Sequence, residues 1–313
     1  VYSKDANGNL LTYALKNGRH DLADDVLSNT NNINVSMALS EVLQKYPDGD
    51  KKRKHIADLI KTHALAHEDC AVIEKYLTSP SDSIDTKATA INAAVANGMD
   101  VSLEFVVRNI LPVAGNENTL SILDAYCSKK LVDDDVFRIL NFACACKDSK
   151  TAVGALDCLK RGNQYVLVPS KTVIAMLSER DLTASDKISI LDKLFEFKVE
   201  AKSVEAVMTN YLCFNQDPVA TRKEVILYLL DKSPQLPTST VQNYVLKCAV
   251  DGNEKPAIVK AIFDKGLNTS FFNELLSKYM NSSTDSNEVK AEITDILSGG
   301  GLKIDPSSLI EYI

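Results

Sequence analysis

The residues best suited to chemistry in this sequence are its histidines, of which there are only four. His63 and His67 stand one helical turn apart, and Cys70 follows shortly after them. Two imidazoles and a thiolate on one helical face would suit zinc. The glutamate that zinc proteases place directly after the first histidine is missing, because Ala64 stands there. We therefore expect an exposed helix end and neither metal nor cofactor, with a zinc site at His63, His67 and Cys70 as the alternative.

Other patterns that resemble active sites lack essential parts. The run Ser298–Gly301 is rich in glycine but has no Gly-Lys-Ser/Thr and no preceding strand, so we expect a helix terminator rather than a phosphate loop. The acidic run Asp133–Asp135 suits the positive end of a helix dipole. The basic run Lys51–Lys54 is expected in a solvated loop before a helix, with a nuclear-import signal or a site for an acidic partner as the alternative. No histidine lies near a serine or cysteine in a nucleophile-elbow context, so we expect no enzyme.

Charge and composition narrow the range of partners. The net charge is −7, tryptophan is absent and aromatic residues make up 6% of the chain. A nucleic-acid-binding face needs clustered lysine and arginine, and single-stranded nucleic acid also needs aromatic platforms, so we expect no nucleic-acid partner. No apolar run approaches the ~18 residues of a membrane span.

The cysteines indicate the compartment. There are seven, an odd number without the spacing of a disulfide framework, and most stand among apolar neighbours. This pattern predicts small buried thiols in a reducing compartment, the cytosol or the nucleus. The first residue is Val1 rather than methionine, so we expect a fragment or a processed form of a longer protein.

A repeated apolar pattern predicts the elements that carry these residues. Two adjacent apolar pairs one helical turn apart form a quartet, the stripe of a buried helix, and quartets recur every 32–36 residues. A second apolar helix stands between successive quartets. The quartets begin at Ile122, Gly154, Ile190, Val225, Ala257 and Glu292.

The repeat predicts an all-α fold, an α-solenoid of stacked helix-turn-helix units in a single repeat domain over 1–313. Its first units cover about 1–50, irregular units 51–120 and regular units 121–313. The phase over 50–120 is left open by about half a repeat. Short apolar runs such as Tyr165–Val168 are expected to be extended connectors.

The opening stretch resembles an ankyrin repeat. Asp5, Gly8, Leu11, Ala14 and Gly18 match the family pattern Asp-x-x-Gly-x-Thr-Pro-Leu-His-x-Ala-x-x-x-Gly, with one deletion. The following stretch 19–27 resembles the outer helix, and 31–35 resembles the family's Ala-Asp-Val-Asn turn. The complete Thr-Pro-Leu-His motif does not occur. The resemblance implies an ankyrin-like repeat fold that binds proteins.

We therefore expect a non-enzymatic interaction module that binds a partner protein on the concave face of the repeats. The alternative is an accessory or regulatory domain of a larger enzyme whose catalytic part lies outside this sequence. Polar residues between the buried positions of the inner helices would contact the partner, namely Arg138, Asn141, Gln242, Asn243 and Lys247.

Overall fold

The computed structural model describes residues 4–29, 33–62, 67–197, 201–214, 216–232, 238–247, 254–265, 272–282 and 285–299. Within these ranges the chain folds into α-helices joined by short connections, and no extended strand forms. The prediction of an all-helical protein is confirmed. No helix in this described part is long and apolar enough to cross a membrane.

The chain divides into two compact units: unit 1 comprises Val1–Phe142 and Gly154–Gln164, and unit 2 comprises Ala143–Val153 and Tyr165–Ile313. The helices of unit 1 are α1 (Lys4–Lys16), α2 (His20–Leu27), α3 (Val35–Lys45), α4 (Asp50–Thr62), α5 (His67–Leu77), α6 (Ile84–Ala96), α7 (Leu103–Asn109) and α8 (Gly115–Cys127). Most of α9 (Asp133–Ala145) and the second half of α10 (Ser149–Arg161) also belong to it. The remaining helices, all in unit 2, are α11 (Ser170–Leu177), α12 (Ala184–Phe195), α13 (Ala201–Phe214), α14 (Val219–Lys232), α15 (Thr238–Lys247), α16 (Lys255–Asp264), α17 (Phe272–Ser282) and α18 (Asn287–Gly299).

Many helices within a unit pack against the next helix, against the helix two positions further on, or against both. In unit 1, α4 packs on α6 and α6 on α8, while α1 packs on α3 and α3 on α5. In unit 2, α12, α14, α16 and α18 pack in succession, and so do α11, α13, α15 and α17. We call the even-numbered helices of a unit its even row and the odd-numbered helices its odd row.

The apolar quartets form the core of the even row, as the pattern predicts. Burying apolar area is the dominant favourable contribution to folding, and each helix turns one stripe inwards. In α16 the predicted quartet is displaced by one residue, because Ala257 is exposed and Val259 is buried beside Ile258. Fully or almost fully buried members include Ile122, Leu123, Ala155, Leu159, Ile190, Leu191, Val225, Ile226, Ile258 and Ile262.

The structure also resolves the phase over 50–120. One buried position near the start of each even helix is held by Lys52 in α4, Thr86 in α6 and Thr119 in α8, at a nearly constant spacing along the chain. Lys187, Arg222 and Lys255 hold the same place in α12, α14 and α16 of unit 2, with almost the same spacing. The repeat step of the regular units therefore extends through this region of unit 1.

Turns between the helices follow local chemistry. Gly98 ends α6 with a φ of +84°, a conformation that side chains bearing a Cβ rarely adopt. Thr183 and Asp186 form a capping box at the start of α12, in which each side chain bonds to the other residue's backbone N–H. Tyr165–Val168 is non-helical, with Tyr165 exposed and Val168 buried, so this stretch is a connector as expected.

The prediction that Lys51–Lys54 lies in a solvated loop is wrong. Helix α4 begins at Asp50, so the basic run forms its first turns. Lys51 and Lys54 are exposed, but Lys52 is buried with a side chain that is 1% exposed. Composition alone treats these lysines as equivalent, whereas the helix turns one of them into the core.

Candidate functional site

Two of the predicted partner-binding residues, Arg138 and Asn141, stand one turn apart on α9 in unit 1. Asn141 is exposed. Arg138 is about one-third exposed, and its guanidinium forms ion pairs with Asp135 at 2.8 Å and with Glu104 at 3.0 Å. Because Glu104 belongs to α7, the arginine links two neighbouring helices of the odd row.

The other predicted residues lie on α15 in unit 2. Gln242 and Asn243 are half-buried on this helix. Lys247 ends the helix, and its side chain lies outside the described part. In the same odd row, the hydroxyl of Thr209 on α13 lies 2.6 Å from the hydroxyl of Thr240 on α15.

Of the alternative zinc set, His63 and the side chain of His67 lie outside the described residues. Cys70 is buried in α5 with 7% of its surface exposed. No group of three possible metal ligands occurs among the side chains that the structure describes.

The described cysteines are buried, apart from Cys146, which is half-buried. Burial raises the pKa of Cys127 and of Cys144 to about 12, far above the ordinary value for a thiol. The reactive form of cysteine is the thiolate, so these side chains are packing groups rather than nucleophiles at neutral pH. This agrees with the prediction of buried thiols.

A polar cluster near the start of unit 1 gathers two of the four histidines. Asp24 on α2 accepts hydrogen bonds from Lys51 at 2.7 Å and from the Tyr46 hydroxyl, and His55 Nε2 lies 2.9 Å away. The Tyr46 ring stands between those of His20 and His55, with centroids 5.6 and 5.1 Å apart. Burial opposes ionisation of Asp24, but the hydrogen bonds from Lys51, Tyr46 and His55 outweigh it and lower the pKa of Asp24.

A cleft of about 330 Å³ opens between α3 and α5 in unit 1. Its apolar floor consists of Leu43, Val72 and the ring of Tyr76, and Gln44 and Lys75 stand on its rim together with Ser79 and Ser81. The volume reaches the lower end of the range for small-molecule sites. The negative ends of two helix dipoles and a lysine share this rim, so its electrostatics favour neither anions nor cations.

Three buried polar clusters with the same arrangement occur among the residues that the structure describes. Each joins a lysine near the start of an even helix, a tyrosine of the next odd helix and an aspartate before the following even helix. We call them the Lys–Tyr–Asp clusters. Their members are Lys52, Tyr76 and Asp82 in unit 1, and Lys187, Tyr211 and Asp217, then Lys255, Tyr279 and Asp285, in unit 2.

In each cluster the lysine ammonium and the tyrosine hydroxyl both donate to the same carboxylate oxygen. The Nζ–Oδ2 distance is 2.5 Å in Lys52–Asp82 and 2.7 Å in Lys255–Asp285, and Lys187 bonds to Asp217 in the same way. The hydroxyl–Oδ2 distances are 2.6, 2.6 and 2.8 Å in chain order. The ammonium lies 5.4–5.9 Å from the centre of the tyrosine ring. No lysine side chain is more than 1% exposed and no aspartate side chain more than 4%.

The residue at the lysine's position also donates a hydrogen bond to a carbonyl near the end of the preceding odd helix. Lys52 donates to the carbonyl of Leu43 at 2.9 Å, and Lys187 donates to that of Leu177 at 2.8 Å. At the same place in other repeats, Arg222 donates to the carbonyl of Leu212 in α13, and Thr119 donates to that of Leu111 in the turn that follows α7. The last carbonyls of a helix lack partners within it, so this position supplies a donor that they need.

Sequence reasoning missed these clusters, although a signal for them exists. In all three, the aspartate follows the lysine by 30 residues and the tyrosine by 6. The pattern Tyr-x5-Asp therefore recurs with a lysine at one fixed distance before each tyrosine. An apolar-periodicity search passes over it, because it counts lysine and aspartate as surface residues.

Comparison with known proteins gives no relative: no family model, curated protein or solved structure matches this chain. The Lys–Tyr–Asp clusters are closed to solvent, so they hold helices together and cannot contact another molecule. The exposed side chains of the odd row are accessible and can contact another molecule.

Proposed function

We propose that this chain is a non-enzymatic interaction scaffold, in which stacked ankyrin-like helix pairs form an α-solenoid and a partner protein binds along the odd row. The observation that carries the proposal is the repeated packing of helices on the helix two positions away, from α4 through α6 to α8 in unit 1 and from α12 through α14 and α16 to α18 in unit 2. Repeats of this kind bury their faces against neighbours and leave an extended surface for binding.

The partner surface in unit 1 is centred on α9. Asn141 is exposed there, and Arg138 keeps one-third of its side chain accessible while Glu104 and Asp135 hold it in place. An arginine whose conformation is already fixed loses less side-chain entropy when it meets a partner. In unit 2 the corresponding surface is α15, with Gln242, Asn243 and Lys247.

Charge reversal of Arg138 tests the binding face. A partner is first identified by affinity capture, and its dissociation constant for the purified chain is then measured. We expect R138E to weaken binding at least tenfold. Arg161 offers a matched control, because it too joins two helices of unit 1 through an ion pair, with Asp124 at 2.7 Å, but in the even row.

The control separates binding from packing. R161E should leave the affinity unchanged, whereas E104Q, which removes one of the ion pairs that hold Arg138 in place, should weaken binding but less than R138E does. If R138E binds the partner as tightly as the parent does, the odd row of unit 1 is not the binding face. Equal losses in R138E and R161E would show that the effect is on the fold.

The solenoid has a test of its own in small-angle X-ray scattering. A compact domain of this length has a radius of gyration of about 20 Å by the usual scaling. A row of stacked repeats is longer and gives a clearly larger value. A measured radius close to the compact value contradicts the solenoid.

The proposed compartment is the cytosol or the nucleus. Support comes from cysteines buried among apolar side chains, which is the usual state of thiols in a reducing environment. Alkylation of the unfolded protein directly after cell lysis tests this. A large fraction of oxidised Cys127 or Cys144 would contradict it.

A further inference from the structure

The three Lys–Tyr–Asp clusters occupy a position that several other repeats fill without a charge, although Arg222 holds it in α14. Thr86 and Thr119 stand there in α6 and α8, and Val289 does so in α18, and all three are buried. Helix α6 packs on α8 without a lysine at this position, as α4 packs on α6 with one. A buried ion pair is therefore not a requirement for stacking one helix pair on the next.

The clusters are also an expensive way to stabilise a junction. Both charges leave water, and their mutual attraction with the added hydrogen bonds does little more than offset the loss of hydration. Apolar residues of similar volume at such sites are commonly neutral or stabilising. Net stability therefore does not explain why the same cluster occurs three times.

Apolar burial alone leaves the alignment of neighbouring helices poorly determined. In α12 and α14 the buried residues recur one turn apart, Ile190 with Leu194 and Val225 with Leu229. A slip of one turn moves a helix by about 5.4 Å and still sets apolar groups against apolar groups. The same slip would pull Lys187 away from Asp217 and leave two charges buried without partners.

We propose that the Lys–Tyr–Asp clusters are registry locks, which permit a single alignment of an even helix with the next even helix and with the odd helix between them. In each of the first two clusters, groups from four successive elements lie around the lysine ammonium. In the first cluster of unit 2, Leu177 ends α11, Lys187 belongs to α12, Tyr211 to α13, and Asp217 precedes α14. A shift of any one of them breaks at least one bond of the set.

The test compares two variants of the full chain at this cluster. In D217L, Lys187 loses its carboxylate and remains buried. In K187M/Y211F/D217L, all three polar groups are replaced by apolar groups of similar size. Thermal unfolding gives stability, and isoleucine methyl NMR spectra report the packing around Ile190 and Ile226 on the two aligned helices.

We expect D217L to lower the midpoint of unfolding strongly, whereas the triple variant unfolds at or above the temperature of the parent. Ile190 and Ile226 should each give one methyl signal in the parent and more than one in the triple variant, because several alignments are then populated. T119V is the matched control: it removes the polar group at the same position in α8 and should keep single signals.

Either of two results overturns the proposal. One is a triple variant with a single signal for each of the two isoleucines, since the alignment is then determined without the cluster. The other is a triple variant that fails to fold or loses as much stability as D217L, since the cluster is then an ordinary source of stability. Neither result depends on whether the chain binds a partner protein.

Discussion

Two junctions of the even row in unit 1 bring their helices together by different means. Between α4 and α6, Lys52 reaches forward to Asp82, while Asp48 accepts hydrogen bonds from the Ser83 backbone and the Thr86 hydroxyl. The starts of the two helices are thus bonded in both directions; the side chains of Lys52, Asp82 and Thr86 are buried, whereas Asp48 is exposed.

Between α8 and α10 the contact depends on small side chains. Gly154 faces the side chain of Leu120, and Gly162 faces the backbone carbonyl of Cys127. The ion pair at this junction, Arg161–Asp124, has both side chains about 60% exposed. The same repeat step is thus stabilised by buried charges at the α4–α6 junction, the charged junction, and by close packing on glycine at the α8–α10 junction, the close-packed junction. The two junctions should therefore respond to different substitutions.

The largest expected effect is at the charged junction. D82L removes the carboxylate and leaves Lys52 and Tyr76 buried without it. Breaking a buried ion pair by removing one partner costs about 3–5 kcal/mol. Urea unfolding followed by circular dichroism measures the loss.

Its control is T86V at the same junction, which deletes a buried hydroxyl but leaves the exposed Asp48 carboxylate bonded to the Ser83 backbone. The lost hydrogen bond to this carboxylate should cost about 1.5–3 kcal/mol, less than the loss in D82L. Equal losses in D82L and T86V would remove the distinction between charged and uncharged contacts.

The next largest loss of stability is expected at the close-packed junction between α8 and α10. G162A would place a Cβ against the carbonyl of Cys127, a backbone atom that cannot turn aside. Overpacking of this kind costs about 1–3 kcal/mol. G154A is the milder counterpart, because its Cβ would lie 2.6 Å from the Cδ2 of Leu120, the end of a side chain that can rotate. Thermal unfolding of the two variants should rank G162A below G154A, and the reverse order would contradict this view of the junction.

Acid should weaken the charged junction through Asp48. Burial opposes ionisation of this carboxyl, but hydrogen bonds from Thr86 and Ser83 outweigh it and lower its pKa to about 2. The folded-state pKa lies below the ordinary value of about 3.9, so the contribution to stability is complete above about pH 4 and is lost as the pH falls towards 2.

D48N isolates this contribution. The variant should be less stable than the parent at neutral pH, and the difference should shrink between about pH 4 and pH 2. Chemical unfolding of both proteins at a series of pH values measures it. A difference that stays constant over this range would exclude the role of Asp48.

The smallest effect is expected for R161Q. Its ion pair with Asp124 is largely exposed to solvent, and such pairs contribute between about 0 and 1 kcal/mol. Added salt should reduce even that difference. A loss as large as that of G162A would mean that charge matters at the close-packed junction too.

Local patterns predicted much of the fold, but they placed polar groups poorly. The quartets around Ile122, Ile190 and Val225 are buried as predicted, because a helical stripe follows from residue spacing alone. The stripe of α16 was predicted one residue too early, since Ala257 and Ile258 are both apolar and spacing does not separate them. The candidate site was less accessible to prediction: that Arg138 is held by Glu104 depends on a residue 34 positions away.

The sequence by itself determined that the chain is helical and repeats at a nearly constant step, because apolar periodicity acts over a few turns and needs no distant partner. Only the tertiary structure decided which charges are structural. Lys51 and Lys52 are neighbours in one basic run, yet Lys51 is exposed and Lys52 is buried against Asp82. Burying a charged lysine without a partner is costly, and here the carboxylate that pairs with it belongs to the next repeat, 30 residues later.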